Sequence, residues 1–150
     1  MQNSSIPPNS SDHVLTLCHM LSNRIGKAFA EELDSQAITV AEWRVLLTLA
    51  QHSPASGKQI AGRWAMDKMA INRAISSLQA RKLIAKKPND KDKRVIDLLL
   101  TQKGKKLYEQ LLPIANQRYH KLMAGLDKLE EKNLREALLK LILHVDDFGD

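Results

Sequence analysis

The sequence predicts a mainly α-helical fold with one small β-hairpin: a winged helix-turn-helix joined to a helical dimerisation region. Three observations predict it. Apolar residues recur at spacings of three and four along most of the chain, the period of helices with one buried face. Helix-start signals break that pattern at Thr39, Ser56, Asp67, Thr101 and Asp127. Between Leu83 and Leu100, two apolar runs flank a cluster of Pro, Asn, Asp and Lys, which is the pattern of a hairpin with a charged tip. Composition agrees, with 43% hydrophobic but only 4% aromatic residues, a balance that favours helix over β-sandwich.

Met1 to Ser11, with Pro7, Pro8 and four serines, reads as a flexible arm. From Asp12 a helical stripe follows: Val14, Leu17, Cys18, Leu21, Ile25, Ala28 and Phe29, closing at a break over Asp34 to Ile38. Thr39 to Glu42 forms a capping box and opens a helix that turns Trp43, Leu46, Leu47 and Ala50 inward. His52, Ser53 and Pro54 stop it. Ser56 to Gln59 is a second capping box, opening a short helix with a tight connection expected at Gly62 to Ala65. Asp67 then caps a helix running to about Lys82.

These short helices and the longer one after them have the spacing of a helix-turn-helix. At about 100° per residue, Ile71, Ala74, Ile75 and Leu78 share one face of the longer helix, while Met69, Arg73, Ser76 and Ser77 point away. The outward face carries no acid, whereas a merely solvated face usually mixes both signs. The hairpin of residues 83–100 supplies Lys86, Lys87, Lys91, Lys93 and Arg94 around its tip. A hairpin directly after a helix-turn-helix is a wing.

Thr101 caps a further helix with the stripe Leu107, Leu111, Leu112, Ala115, Tyr119 and Leu122. Pro113 inside it predicts a kink near residues 109–113 or a division into two helices. Asp127 to Glu130 is a third capping box. The helix it opens is apolar around much of its circumference, through Leu138, Leu139, Leu141, Ile142 and Leu143. One small domain cannot cover that surface, so a second copy of the chain is expected to. The expected organisation is an arm (1–11), a winged helix-turn-helix (38–101) and a helical dimerisation region built from 12–37 and 102–148.

Charge is concentrated in the middle. The chain carries 23 Lys and Arg against 17 Asp and Glu, a formal +6. Residues 56–108 hold fourteen of the basic and four of the acidic residues, and each flank is slightly acidic. That distribution is the footprint of a polyanion binder, set against the plainer reading of a solvated Lys-rich surface. One Cys excludes an internal disulfide. No apolar run reaches the roughly 18 residues of a membrane span, and the N-terminus lacks the apolar core of a secretory signal. A cytoplasmic protein is expected. No enzyme is expected, since the six glycines form no phosphate-binding loop. Neither metal nor cofactor is expected, since His13, His19, His52, His120 and His144 show no ligand spacing.

The run from Asp92 to Gly104 matches the pattern D-x-R-x-x-x-L-x-L-T-x-x-G. On that run, and on Ile71 to Leu78 as a recognition helix, the chain resembles the MarR family of winged-helix regulators over about residues 12–146. Lys82 stands where the family usually has glycine. The resemblance implies a homodimer with interlocked terminal helices, a palindromic double-stranded DNA operator, and release by a small molecule or by oxidation.

Physical chemistry assigns the parts. Arg94 suits a minor groove, where A·T tracts concentrate negative potential, and Asp92, on the same face of an extended strand, would hold its guanidinium. Lys91 and Lys93 suit phosphates. On the recognition helix, Met69, Arg73 and Ser76 point toward the duplex with Lys68 and Asn72 on the flank, and Lys58 begins the preceding helix where free N–H groups suit a phosphate. An effector pocket is expected where the DNA-binding lobe meets the dimer helices, from His19, Arg24, Trp43, Arg44 and Tyr108, with an aromatic or phenolic acid as its ligand. The plainer reading makes Trp43 core and Arg44 solvated. Cys18 reads as a small core hydrophobe, with a peroxide sensor as the alternative. An architectural DNA-binding protein without effector is the remaining alternative, distinguished by weak sequence preference.

Overall fold

The structure is a computed structural model and describes residues 13–146, so the arm expected over 1–11 lies outside the described residues. The elements run α1 (Val14–Asp34), α2 (Val40–Gln51), β1 (Ala55–Ser56), α3 (Gly57–Trp64), α4 (Lys68–Ala80), β2 (Ile84–Pro88), β3 (Ile96–Leu100), α5 (Gln102–Met123) and α6 (Lys128–Asp146). The fold is mainly helical with a small antiparallel sheet, as the periodicity predicts. The chain divides into two compact units, one ending at Leu111 and one beginning at Leu112, with α5 running through the division.

In the first unit the caps set the helix starts. Ser56 and Gln59 complete their box: the Ser56 N–H donates to the Gln59 side chain at 2.9 Å, and the Gln59 N–H donates to the Ser56 hydroxyl at 3.2 Å. Thr39 makes only its own half, accepting from the Glu42 N–H at 3.1 Å. The Glu42 carboxylate instead takes the Thr39 hydroxyl at 3.2 Å and Arg81 at 3.4 Å. Arg81 also donates to the Ala37 carbonyl at 2.8 Å, so one guanidinium ties the end of α4 to the start of α2. Asp67 occupies the N-cap position of α4 without a side-chain cap bond.

The expected connection at Gly62 to Ala65 is shorter than the sequence suggests. α3 continues through Gly62 to Trp64 and ends at Ala65, whose left-handed backbone (φ 49°) turns the chain. Ile71, Ala74, Ile75 and Leu78 are the buried residues of α4, on the single face that the 3.6-residue period gives them. They join Val45, Leu46 and Leu49 of α2, Ile60 of α3, and Leu83, Ile84 and Leu98 of the sheet region in one core. Each of these Leu, Ile and Val side chains contributes about 1.5–3 kcal/mol by leaving water.

The sheet has three strands, not the two of the expected hairpin. β3 lies in the middle, with β2 on one side and β1 on the other, both antiparallel. β1 is two residues long and pairs Ala55 with Leu98 and Ser56 with Asp97. The hairpin register runs from Ile84 opposite Leu100 to Pro88 opposite Ile96.

Thr101 ties the start of α5 to the end of α4. Its hydroxyl donates to the Lys82 carbonyl at 2.8 Å and accepts from the Gly104 N–H at 3.0 Å, and its N–H donates to the Leu83 carbonyl at 3.1 Å. Gly104 is required there, because a Cβ would sit 2.0 Å from the Leu83 carbonyl oxygen. Lys82 itself adopts φ 59°, the left-handed region where a side chain is disfavoured.

In the second unit α5 passes through Pro113 as one helix, not two. The Asp127 box is complete, with N–H to carboxylate bonds of 2.9 Å and 2.8 Å between Asp127 and Glu130. The Tyr119 hydroxyl donates to the Glu131 carboxylate, and that bond holds the phenol above its usual pKa. α6 has no buried residue, and Leu129, Leu139, Ile142, Leu143 and Val145 are each at least half exposed. No helix among the described residues is long and apolar enough to cross a membrane.

Candidate nucleic-acid interface

With the apolar stripe of α4 turned into the core, Lys68, Met69, Asn72, Arg73 and Ser76 are all exposed on the other side. Met69, Asn72, Arg73 and Ser76 border an open depression of about 360 Å³. A second depression of about 390 Å³ runs between the start of α2 and α4, past Thr39, Ala41, Ala70, Arg73 and Ser77. Arg73 borders both, and the mostly buried Glu42 of α2 also lines the second. Lys58 is exposed in the first turn of α3.

The turn between β2 and β3 is built by two side chains. The Asn89 side-chain oxygen accepts from the backbone N–H groups of Lys91 and Asp92, both at 2.9 Å. The Asp92 carboxylate then accepts from the Arg94 backbone N–H at 3.0 Å and from the Arg94 guanidinium Nε at 3.3 Å. Backbone bonds from Asn89 to Val95 at 2.9 Å and from Val95 to Asp92 at 3.0 Å close the loop. Residues 89–95 are therefore a compact turn, and Asp92 and Arg94 lie in it instead of on an extended strand as the sequence suggests. The reason is chemical: Asn and Asp side chains bond the backbone two or three residues on and bend it. The Asp92 carboxylate touches the Nε side of Arg94, and the Arg94 side chain is 92% exposed. Lys86, Lys87, Lys91 and Lys93 are exposed beside it. Lys87 also approaches Asp90 at 3.8 Å, a surface pair of small energy.

Beneath the turn the Asn89 amide donates to the Asp97 carboxylate at 3.0 Å, and Asp97 is only 6% exposed. The sequence marks Asn89 only as a turn residue and does not single out Asp97, because their bond spans a turn whose conformation had to be known first.

The residues expected around an effector are placed as follows. Trp43 is buried, stacks on Tyr108 (centroids 5.6 Å apart, 13° between planes) and meets the edge of Phe29. Arg44 leaves the helix on another side: its guanidinium lies over the ring of Trp64 at 5.1 Å and donates to the Met66 sulfur. Trp64 in turn donates to the Thr48 hydroxyl at 2.8 Å. The structure thus brings Trp43 and Tyr108 together and pairs Arg44 with a different tryptophan. His19 and Arg24 are exposed on α1, where Arg24 donates to the Met20 carbonyl at 3.3 Å. Cys18 is exposed beside Leu17 and Leu21, which are also exposed. Among the described residues no three His, Cys, Asp or Glu side chains converge as metal ligands would.

A three-helix unit with an acid-free outer helix face, followed by a basic two-stranded wing on a three-stranded sheet, defines a winged helix-turn-helix protein. A sequence profile of the MarR family matches residues 38–95. The chain is 34% identical over 102 residues to the HTH-type transcriptional repressor MdtR of Bacillus subtilis, covering 68% of this chain and 65% of that one. Its fold is similar to a MarR/EmrR family transcriptional regulator from Acinetobacter sp. ADP1, with TM-score 0.85, 28% identity, and coverage of 92% and 99% of the two chains. It is also similar to Bordetella bronchiseptica BpsR, with TM-score 0.79, 26% identity, and coverage of 91% and 97%. In sequence profile and in fold the chain is thus similar to winged-helix regulators of the MarR family.

Proposed function

We propose that this protein is a dimeric transcriptional repressor, not an enzyme, that binds a palindromic DNA operator and is released by an aromatic acid. The observation that carries the DNA reading is the pairing of a preformed, almost wholly exposed Arg94 with the acid-free face of α4. α4 enters the major groove, where Arg73 and Asn72 meet base edges and Lys68, Met69 and Ser76 line the contact. The wing enters the adjacent minor groove through Arg94, with Lys91 and Lys93 on phosphates and Asp92 bracing the turn. Lys58 meets the backbone from the start of α3.

The exposed apolar sides of α1 and α6 support a second copy as partner. Two wings and two recognition helices then meet half-sites about one helical turn, or 34–36 Å, apart. For the effector, BpsR is described as regulated in DNA binding by 6-hydroxynicotinic acid, a small aromatic acid. His19, Arg24, Trp43, Arg44 and Tyr108 are the candidate contacts for a ligand of that kind. The exposure of Cys18 supports peroxide sensing as a second reading; full peroxide response in Cys18→Ser would end it.

The test begins with selection of a duplex by the native protein from a randomised pool. Gel shifts follow with that duplex and a scrambled one at two salt concentrations. Native protein is expected to prefer the selected duplex, and Arg94→Ala to bind it at least tenfold more weakly with an unchanged melting temperature. Equal binding to both duplexes would overturn the reading in favour of an architectural protein.

A further inference from the structure

We propose that Asn89 is a positioning residue for DNA recognition, a latch that holds Arg94 at the height from which it enters the minor groove; this rests on the DNA reading above. The two ends of its side chain do different work. The oxygen accepts from the Lys91 and Asp92 N–H groups and shapes the turn. The amide donates at 3.0 Å to Asp97. Asp97 belongs to the central strand, is 6% exposed, and pairs with Ser56 on one side and Lys87 on the other. A four-residue path therefore leads from the sheet core to the tip: Asp97 to Asn89, Asn89 to the Asp92 backbone, and the Asp92 carboxylate to Arg94.

The exposed salt bridge between Asp92 and Arg94 is too weak to fix the wing alone. The bond from Asn89 to Asp97 is stronger, because its charged acceptor is buried and so less screened by water. Fixing the turn before binding spares the ordering cost that a loose wing would meet on the duplex. The specificity term under its control is the one the wing reads, the preference for narrow A·T-rich flanks.

The geometry supplies a clean perturbation. Asn89→Asp keeps the turn-shaping oxygen and replaces the donating amide with a carboxylate facing Asp97, so the latch becomes repulsive. Asp97→Asn keeps an oxygen to accept from Asn89. Combining the two restores the latch in reverse, with the new amide donating to the new carboxylate.

Binding is measured to the duplex selected by native protein, and to a copy with G·C flanks. Asn89→Asp is expected to weaken binding to the A·T-flanked duplex about tenfold. It should also lose most discrimination between flanks, which a merely destabilised protein would keep at temperatures where it is folded. The double variant should return to within about threefold of native. In an Arg94→Ala background, Asn89→Asp should add less than about threefold, because its effect runs through Arg94. A folded Asn89→Asp protein that binds and discriminates as native does would overturn the proposal, as would a double variant with no recovery. Where Asn89→Asp melts below the assay temperature, Asn89→Ala carries the same comparison of flanks. Selection that enriches no duplex would instead refute the DNA reading itself.

Discussion

Replacing Gly104 with Ala tests the junction on which the wing and α5 both rest. The added Cβ would lie 2.0 Å from the Leu83 carbonyl oxygen, 3.0 Å from its carbon and 3.4 Å from a Leu100 methyl. The first two are backbone atoms, so no rotamer change relieves them. The first turn of α5 would have to lift by more than 1 Å, roughly the shortfall from van der Waals contact. That movement strains two bonds of Thr101, to the Lys82 carbonyl at 2.8 Å and to the Leu83 carbonyl at 3.1 Å. Overpacking costs about 1–3 kcal/mol, and each lost bond adds about 1 kcal/mol. The expected loss is about 3–5 kcal/mol, a large share of the 5–15 kcal/mol typical of a domain. Urea unfolding at fixed protein concentration measures it, because any self-association would make stability concentration-dependent. A loss below about 1 kcal/mol would refute the reasoning, showing that the α5 turn moves freely.

Gly62 should respond oppositely. Gly62→Ala, inside α3 with nothing within 4 Å of the added Cβ, is expected to raise stability by about 0.5–1 kcal/mol in the same assay; a loss would show an unseen neighbour. Lys82→Gly relieves a left-handed backbone at φ 59°, worth about 1–2 kcal/mol for a residue with a Cβ. The glycine's greater freedom in the unfolded chain offsets part of that, so a net gain below about 1 kcal/mol is expected from urea unfolding. Lys93→Ala should reduce the slope of log affinity against log salt by about 1, and an unchanged slope would show that Lys93 meets no phosphate.

The sequence reveals whatever repeats along a helix. The buried face of α4 follows from four apolar positions, and the exposed apolar surface of α6 follows from its crowded leucines. The hairpin follows from two apolar runs around Pro88, Asn89 and Asp90. What lies beyond reach is tertiary or too short to have a period. β1 has two residues and shows no alternation; only its pairing with β3 makes it a strand. The end of α3 depends on Ala65 accepting a left-handed turn, which composition does not announce. Arg44 is next to Trp43 in sequence, yet successive helical residues diverge by about 100°, and Trp64 takes it. The wing tip was legible as chemistry but not as geometry. Asp92 and Arg94 were recognisable as partners, while the turn that joins them required the Asn89 side chain to be seen bending the backbone.

The short strand β1 has a consequence for anyone exchanging wings between relatives. Residues 84–100 look like a portable hairpin, but β3 is an inner strand whose outer neighbour comes from Ala55 and Ser56, and Ser56 also starts α3. A graft limited to the hairpin would set a foreign inner strand against a host edge it never evolved to meet. Tip and helix travel together only when that dipeptide is carried along.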